Sequence, residues 1–238
     1  MSAHAGVRLR QAVLVAADLE PVSAQLRAEL NLGEPYADPG VGAFGLHNAV
    51  YAVGDTFLEV VSPTRPDTTA GRYLERRGDG GYMVIFQLDD LDAARERAAT
   101  LGIRVVWQAD LPDISGTHLH PADTRGAIVS LDRADPPGSW RWGGPEWTER
   151  TGTGAPGLLR GVRIAVNDPA ATAQLWGEIL GVEPRYGSQL DLDGGSVVFE
   201  QSDEERLTEI HVQVPGRDES VEIGGAKLSL EEIWTTLS

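Results

Sequence analysis

The strongest constraint in this chain is a pattern that occurs three times: a β-rich run, an acidic or Asn cap, an amphipathic helical stretch, then Leu-Gly. The first copy runs from 9–15 (LRQAVLV) through Asp18 and Pro21 to Leu32 and Gly33. The second runs from 83–88 (MVIFQL) through Asp89 and Asp90 to Leu101 and Gly102. The third runs from 162–166 (VRIAV) through Asn167, Asp168 and Pro169 to Leu180 and Gly181. A repeat on this scale sets the architecture before any single residue does. Each part has a local cause. The Asp or Asn side chain accepts hydrogen bonds from the free amides of a helix start, and Pro169 suits the first helical turn. Val22, Leu26 and Leu30 form one apolar stripe, and Leu91, Ala94, Ala98 and Leu101 form another. Gly33, Gly102 and Gly181 are expected to take the left-handed conformation that stops a helix.

Strand signals follow each helix. In the first copy, 48–53 and 56–61 flank Gly54 and Asp55, a hairpin turn. In the second, 103–108 is a strand, followed by a loop, 118–121, a turn at 124–126 and the strand 127–131. In the third, 189–193 and 196–200 flank Gly194 and Gly195. The unit is therefore βαβββ, and the fold class α+β. A fourth start at 209–214 has no helix after it, with strands expected at 221–223 and 226–230.

This gives an expected division into paired modules over 8–133 (8–65 and 80–133), a linker over 134–156, and a third module with a reduced fourth over 157–238. The linker holds four prolines, five glycines and three tryptophans. Trp140, Trp142 and Trp147 carry too much apolar area for a solvated tether. The segment is expected to pack over a core or a pocket mouth.

Charge removes several functions. With 36 acidic against 20 basic residues the formal charge is −16, and a chain this acidic lacks the clustered cations that bind phosphate backbones. No nucleic-acid partner is expected. The absence of cysteine removes thiol nucleophiles, zinc knuckles and disulfides. No apolar run approaches a membrane span of about 18 residues, and 1–10 shows no apolar signal region, so a cytoplasmic protein without a membrane partner is expected. No phosphate loop, dinucleotide fingerprint or Gly-x-Ser-x-Gly elbow is present.

The tandem modules resemble the vicinal oxygen chelate superfamily, which includes glyoxalases, methylmalonyl-CoA epimerase, extradiol dioxygenases and bleomycin resistance proteins. The second module is most similar to the epimerase-like branch, through 86–93 (FQLDDLDA) and 120–126 (HPADTRG). The first, with 45–48 (GLHN) and 57–60 (FLEV), looks more like the broad glyoxalase-like branch. The resemblance implies two modules pairing their curved mixed sheets into a cup, with helices outside and a divalent metal inside. It also implies a small oxygenated ligand and isomerase, lyase or dioxygenase chemistry. The implied alternative is a binding protein of resistance type that has kept the cup and lost the chemistry. Two arrangements stay open for the third module: pairing with the fourth as a second cup, or a sheet edge that serves as a homodimer surface.

Counting along the repeats, the resemblance assigns the first-strand ligand positions to Gln11, Met83 and Gly161. The last-strand positions fall on Glu59, Ser130 and Glu200. Gln11 and Glu59 can bind a divalent ion, whereas Met83 and Ser130 are poor ligands for one. The standard site is therefore expected to be depleted. His47, twelve residues before Glu59, is the third candidate ligand; a rebuilt site would combine Glu59 and His47 with His118 or His120. Glu59 is the candidate catalytic base. His47, Asn48, His118, His120, Arg163, Trp140 and Trp142 are the candidate substrate-binding residues, Arg163 as a carboxylate or phosphate holder and the tryptophans as an aromatic wall.

Overall fold

The computed structural model describes residues 6–151 and 157–232. His4 and the last five residues of the 134–156 segment lie outside them. The strands are β1 (Val7–Val15), β2 (Leu46–Val53), β3 (Thr56–Pro63), β4 (Gly80–Leu88), β5 (Val105–Asp110), β6 (Ile114–Leu119), β7 (Ile128–Ala134), β8 (Leu159–Val166), β9 (Gln189–Leu192), β10 (Gly195–Gln201), β11 (Arg206–Gln213), β12 (Glu219–Ile223) and β13 (Ala226–Glu231). The helices are α1 (Leu19–Leu30), α2 (Thr69–Arg77), α3 (Leu91–Thr100), α4 (Pro121–Thr124) and α5 (Pro169–Leu180). The strands form two mixed sheets, of seven and six strands, an α+β fold. No helix among the described residues is long and apolar enough to cross a membrane.

The three caps form as the repeats require. Asp18 accepts from the Glu20 amide, Asp90 from Ala93 and Asp168 from Ala171. One helix stop differs. Asn31, not Gly33, takes the left-handed conformation after α1 (φ 49°), a geometry Asn tolerates because its side chain is short and polar. Gly33 serves another purpose: a Cβ there would overlap the Arg150 carbonyl oxygen. Helix α2 has no counterpart among the elements expected from the sequence. Its residues are mostly polar, and Thr68 caps it by accepting from the Gly71 amide.

The chain divides into two compact units, each built from three separate stretches of sequence. Among the described residues, the first comprises 6–12, 82–141 and 161–208; the second comprises 13–81, 142–151, 157–160 and 209–232.

In the first unit, one sheet has the order β1-β4-β7-β6-β5, with β4 parallel to β7 and the remaining β5, β6 and β7 antiparallel in turn. The second copy, β4-α3-β5-β6-β7, is the βαβββ unit complete, its first strand, β4, beside its last, β7. The third copy contributes β8-β10-β9, with β8 parallel to β10. Here a single bridge, Arg185 to Gln189, stands before β9, and the hairpin turn is Asp193 and Gly194, with Leu192 opposite Gly195. The core of the unit centres on Trp176 of α5. Its indole donates to the Thr124 carbonyl at 2.6 Å and meets Phe86 and Phe199 edge-on at 6.0 and 5.1 Å. Edge-to-face geometry sets the positive ring edge against a negative face.

In the second unit, the first copy gives β2-β3-β1. Gly54 and Asp55 form the expected two-residue turn, which places Val53 opposite Thr56. A bridge between Tyr36 and Val50 takes the place of a further strand. The reduced fourth module gives β12-β13-β11. Leu26 and Leu30 of α1 are buried, and so is Tyr51. The Tyr51 hydroxyl and Ser23 Oγ lie 2.7 Å apart, and burial pushes the phenol up from its ordinary range.

Candidate functional site

In the first unit, Gln11 of β1 and Trp140 are both buried, each 1% exposed. Trp140 Nε1 donates to Gln11 Oε1 at 2.8 Å, and the Arg10 guanidinium lies over the Trp140 ring, 5.2 Å from its centroid. Arg10 is buried as well, with Nη2 donating to the Gly138 carbonyl at 3.5 Å. The amide oxygen assigned to a metal by the repeat count thus accepts a hydrogen bond from the chain's own indole. Met83 is buried on β4. Ser130 is buried on β7, and its hydroxyl donates to Asp132. Asp132 was missed in the sequence, although strand alternation puts it on the face of Ser130.

His118 of β6 sits opposite both Trp107 and Ser130. Its ring meets Trp107 at 4.3 Å. Burial disfavours the charged form and pushes the imidazole down to about 4, so His118 is neutral at pH 7. His120 caps α4, accepting from the Ala122 amide at 3.1 Å. Nearby, hydrogen bonds from Arg104 hold Asp123 well below the usual carboxylate range. Arg163 pairs with Glu200 at 3.7 Å, which places the candidate anion holder beside the third module's acidic candidate.

In the second unit, Glu59 of β3 and Asn48 of β2 are both 6% exposed. Asn48 Nδ2 donates to Glu59 Oε1 at 2.6 Å. Asn48 Oδ1 accepts from the Asp38 amide at 2.9 Å, which fixes the orientation of the side-chain amide, since a backbone N–H can only donate. Register explains the pairing. Asn48 lies opposite Val61 and Val50 opposite Glu59, so Asn48 and Glu59 share a face. His47 lies opposite Ser62 and projects from the other face. His47 and Glu59 are therefore not brought together, and a site built on both does not form in this register.

Phe57 shares the face of Glu59 and meets Trp147 edge-on at 5.2 Å. Gly143 approaches the Phe57 ring so closely that a Cβ would overlap it. Arg150 pins this stretch: its guanidinium donates to the carbonyls of Gly143 and Pro145 and lies over the Tyr36 ring at 5.4 Å. Trp142 is half-buried in a short 3-10 turn (Arg141–Gly143). The Trp-rich stretch is thus packed, Trp140 in the first unit and Trp147 in the second.

A groove of about 1060 Å³ runs beside α1, lined by Ser23, Arg27, Asp38, His47, Asn48 and Tyr51 among others. Asn48 therefore borders the groove and also donates to Glu59. Elsewhere in this unit, His211 Nδ1 and Glu231 Oε1 lie 2.7 Å apart. Burial alone would raise Glu209, but hydrogen bonds from Ser229 and Lys227, with the charge of His211, bring it below its ordinary value.

The donor set does not fit a divalent ion. Gln11 Oε1 accepts from an indole, the Ser130 hydroxyl is turned to Asp132, Met83 offers a thioether, and His47 faces away from Glu59. Among the described residues no group of three or more His, Asp or Glu is placed to hold a metal.

A family model described as "Glyoxalase-like domain" matches residues 12–180. Among solved structures, a hypothetical protein from Staphylococcus aureus superposes with a TM-score of 0.65 at 10% identity, covering 95% of this chain and 100% of that one. A methylmalonyl-CoA epimerase variant from Streptomyces coelicolor, in complex with 2-nitronate-propionyl-CoA, is 23% identical over 53% of this chain and 96% of its own, with a TM-score of 0.48. The epimerase from Mycobacterium tuberculosis is 21% identical over 56% and 93%, with a TM-score of 0.49. No curated protein matches the chain. At 10% identity the Staphylococcus aureus structure speaks to the fold alone.

Proposed function

The chain belongs to the glyoxalase-like domain family, and on that premise we propose that it binds a small oxygenated molecule in the groove beside α1 of its second unit. The observation that carries this reading is the double role of Asn48, which lines the groove and is held by Glu59 behind it. A carboxylate that fixes one amide proton orients the rest of the amide, and small-molecule sites rely on a few such placed polar groups among apolar walls. His47, Tyr51 and Arg27 supply further polar contacts along the groove. Arg27 is engaged with Glu34, so a ligand carboxylate there competes with an exposed ion pair of small worth.

The binding need not involve the metal of the related enzymes, because Gln11, Met83 and Ser130 form a poor donor set. No step of a reaction is derived through such a metal. Glu59 stands behind Asn48 rather than in the groove lining, so its part is to orient the Asn48 amide.

One experiment separates these readings. The purified protein is assayed for divalent metal and titrated with small 2-oxo acids, 2-hydroxy acids and catechols, with intrinsic tryptophan fluorescence as the readout. Binding by the wild type that weakens about tenfold in Asn48→Ala, without stoichiometric metal, is the expected result. Stoichiometric metal that is lost in Glu59→Gln would replace the reading with a rebuilt metal centre. Turnover of a bound compound by the wild type would replace the binding reading with an enzymatic one.

A further inference from the structure

The two sheets end in four edge strands, β2 and β5 in one, β12 and β9 in the other. A row of unpaired backbone groups invites a further strand, and proteins blunt such edges with cover, short strands or charge. Three of the four are blunted. Tyr36 exchanges two backbone hydrogen bonds with Val50 of β2, both at 2.8 Å. β9 has four residues and follows the bridge of Arg185 to Gln189. β12 presents the exposed carboxylates of Glu219 and Glu222. β5 is different. Val105 and Val106 are 49% and 53% exposed, and Leu111, just after the strand, is 38% exposed; these are three of the five large exposed apolar side chains among the described residues. A bulge between Val105 and Trp107 breaks the alternation, so that both valines face solvent, and leaves 107–110 as the regular ladder.

The hairpin fixes the backbone phase of β5. The Leu111 amide donates to the Ile114 carbonyl at 2.8 Å. By antiparallel alternation, Ala109 and Trp107 then turn their backbone groups to β6, while Gln108 and Asp110 turn theirs to the open side. We propose that a second copy of this chain adds to this edge, β5 against β5, antiparallel about a two-fold axis. Such a contact needs a strand that complements itself, and three two-fold registers use the outward groups. Asp110 opposite the partner's Asp110 sets like charges face to face, which is destabilising. Gln108 opposite the partner's Gln108 leaves the Asp110 carboxylate against a valine. Gln108 opposite the partner's Asp110 satisfies every side chain. It gives four backbone hydrogen bonds, sets Trp107 against the partner's Leu111, and brings the two Ala109 residues together on the axis. Gln108 Nε2 gives one hydrogen to Asp110 of its own chain at 3.0 Å and keeps a second for the partner's carboxylate. The edge lies within the first unit and uses none of the residues of the α1 groove, so it stands or falls separately from the reading of that groove.

The test uses the full chain, in about 0.3 M salt to screen the repulsion between two copies of formal charge −16. Sedimentation equilibrium between about 10 µM and 1 mM is expected to show monomers passing into dimers, weakly because an edge contact is small. Over the same range, amide exchange read by NMR should slow at Gln108 and Asp110 and stay unchanged at Ala109, whose amide β6 already holds. Gln108→Pro removes an outward N–H where an edge strand tolerates proline and should weaken the dimer at least about tenfold. Leu111→Lys, on an exposed side chain, should do the same, and it carries the test if Gln108→Pro fails to fold. The chain has no cysteine, so Ala109→Cys supplies a single thiol. On the axis, in a non-hydrogen-bonded pair, it should be oxidised by dissolved oxygen to a disulfide-linked dimer at least about tenfold faster than Tyr186→Cys, a thiol at an exposed position elsewhere. Three results overturn the proposal: a monomer at every concentration, which would leave the edge to an extended segment of another protein; a dimer that the variants leave unchanged; or equal disulfide rates for the two thiols.

Discussion

Trp140 and Gln11, 129 positions apart in the chain, share one buried hydrogen bond: indole Nε1 to amide Oε1 at 2.8 Å. The indole takes one of the two lone pairs of the amide oxygen and packs beside Arg10. Trp140→Phe keeps most of the volume but leaves a buried acceptor unmade, and is expected to lower stability by about 1–3 kcal/mol. Trp140→Ala adds a cavity, for about 3–5 kcal/mol. Urea denaturation measures both, and wild-type stability in Trp140→Phe would count against the bond.

The Asn48–Glu59 pair is predicted to be coupled. Asn48→Leu strips a donor from a buried carboxylate and should cost about 2–3 kcal/mol. Glu59→Leu alone leaves the amide short of an acceptor. Replacing both should cost less than the sum of the two single changes, by about 1 kcal/mol or more. Additive single effects in a double-mutant cycle would argue against the contact.

His118 makes stability depend on pH in a definite direction. Unfolded, the imidazole takes a proton near its ordinary value of 6.5; folded, burial holds it neutral down to about 4. The unfolded state therefore binds the extra proton between these values. The stabilisation is present in full above about pH 6.5 and is lost as pH falls toward 4, up to about 3 kcal/mol in all. His118→Phe should flatten the fall in urea midpoint between about pH 7 and 5, and an unchanged slope would assign the effect to other groups.

Two glycines hold the Trp-rich stretch of the second unit against its sheet. Gly33→Ala would drive a Cβ into the Arg150 carbonyl, and Gly143→Ala would drive one into the Phe57 ring. Each is expected to cost about 1–3 kcal/mol and to shift tryptophan emission as Trp147 moves from Phe57. Gly42→Ala, with nothing within 4 Å of the added carbon, is the control and should stay within about 0.5 kcal/mol of wild type.

Much of the fold was legible because its causes are local. Asp18, Asp90 and Asp168 cap helices from one to three residues away, and Gly54 with Asp55 sets a two-residue turn. The same turn makes part of the candidate site legible: once Val53 faces Thr56, arithmetic places Asn48 and Glu59 on one face and His47 on the other. Helix α2 was not legible, because its polar residues carry little apolar period and its cap Thr68 stands after a run of turn residues. Gly33 was read as a helix stop from its place after Leu32. Its actual constraint, a passing carbonyl of Arg150, lies more than a hundred residues away.

The sequence by itself determined the repeated strand–cap–helix units, their hairpins, the α+β class and the scarcity of metal ligands at the counted positions. These follow from hydrogen bonds and periodicities within a few residues, which the order of side chains encodes directly. Only the tertiary structure decided that Gln11 holds an indole and that Ser130 turns to Asp132. Those outcomes depend on which distant segments exclude water from the same volume. A buried polar atom takes whatever partner the packing brings, and no local pattern names that partner in advance.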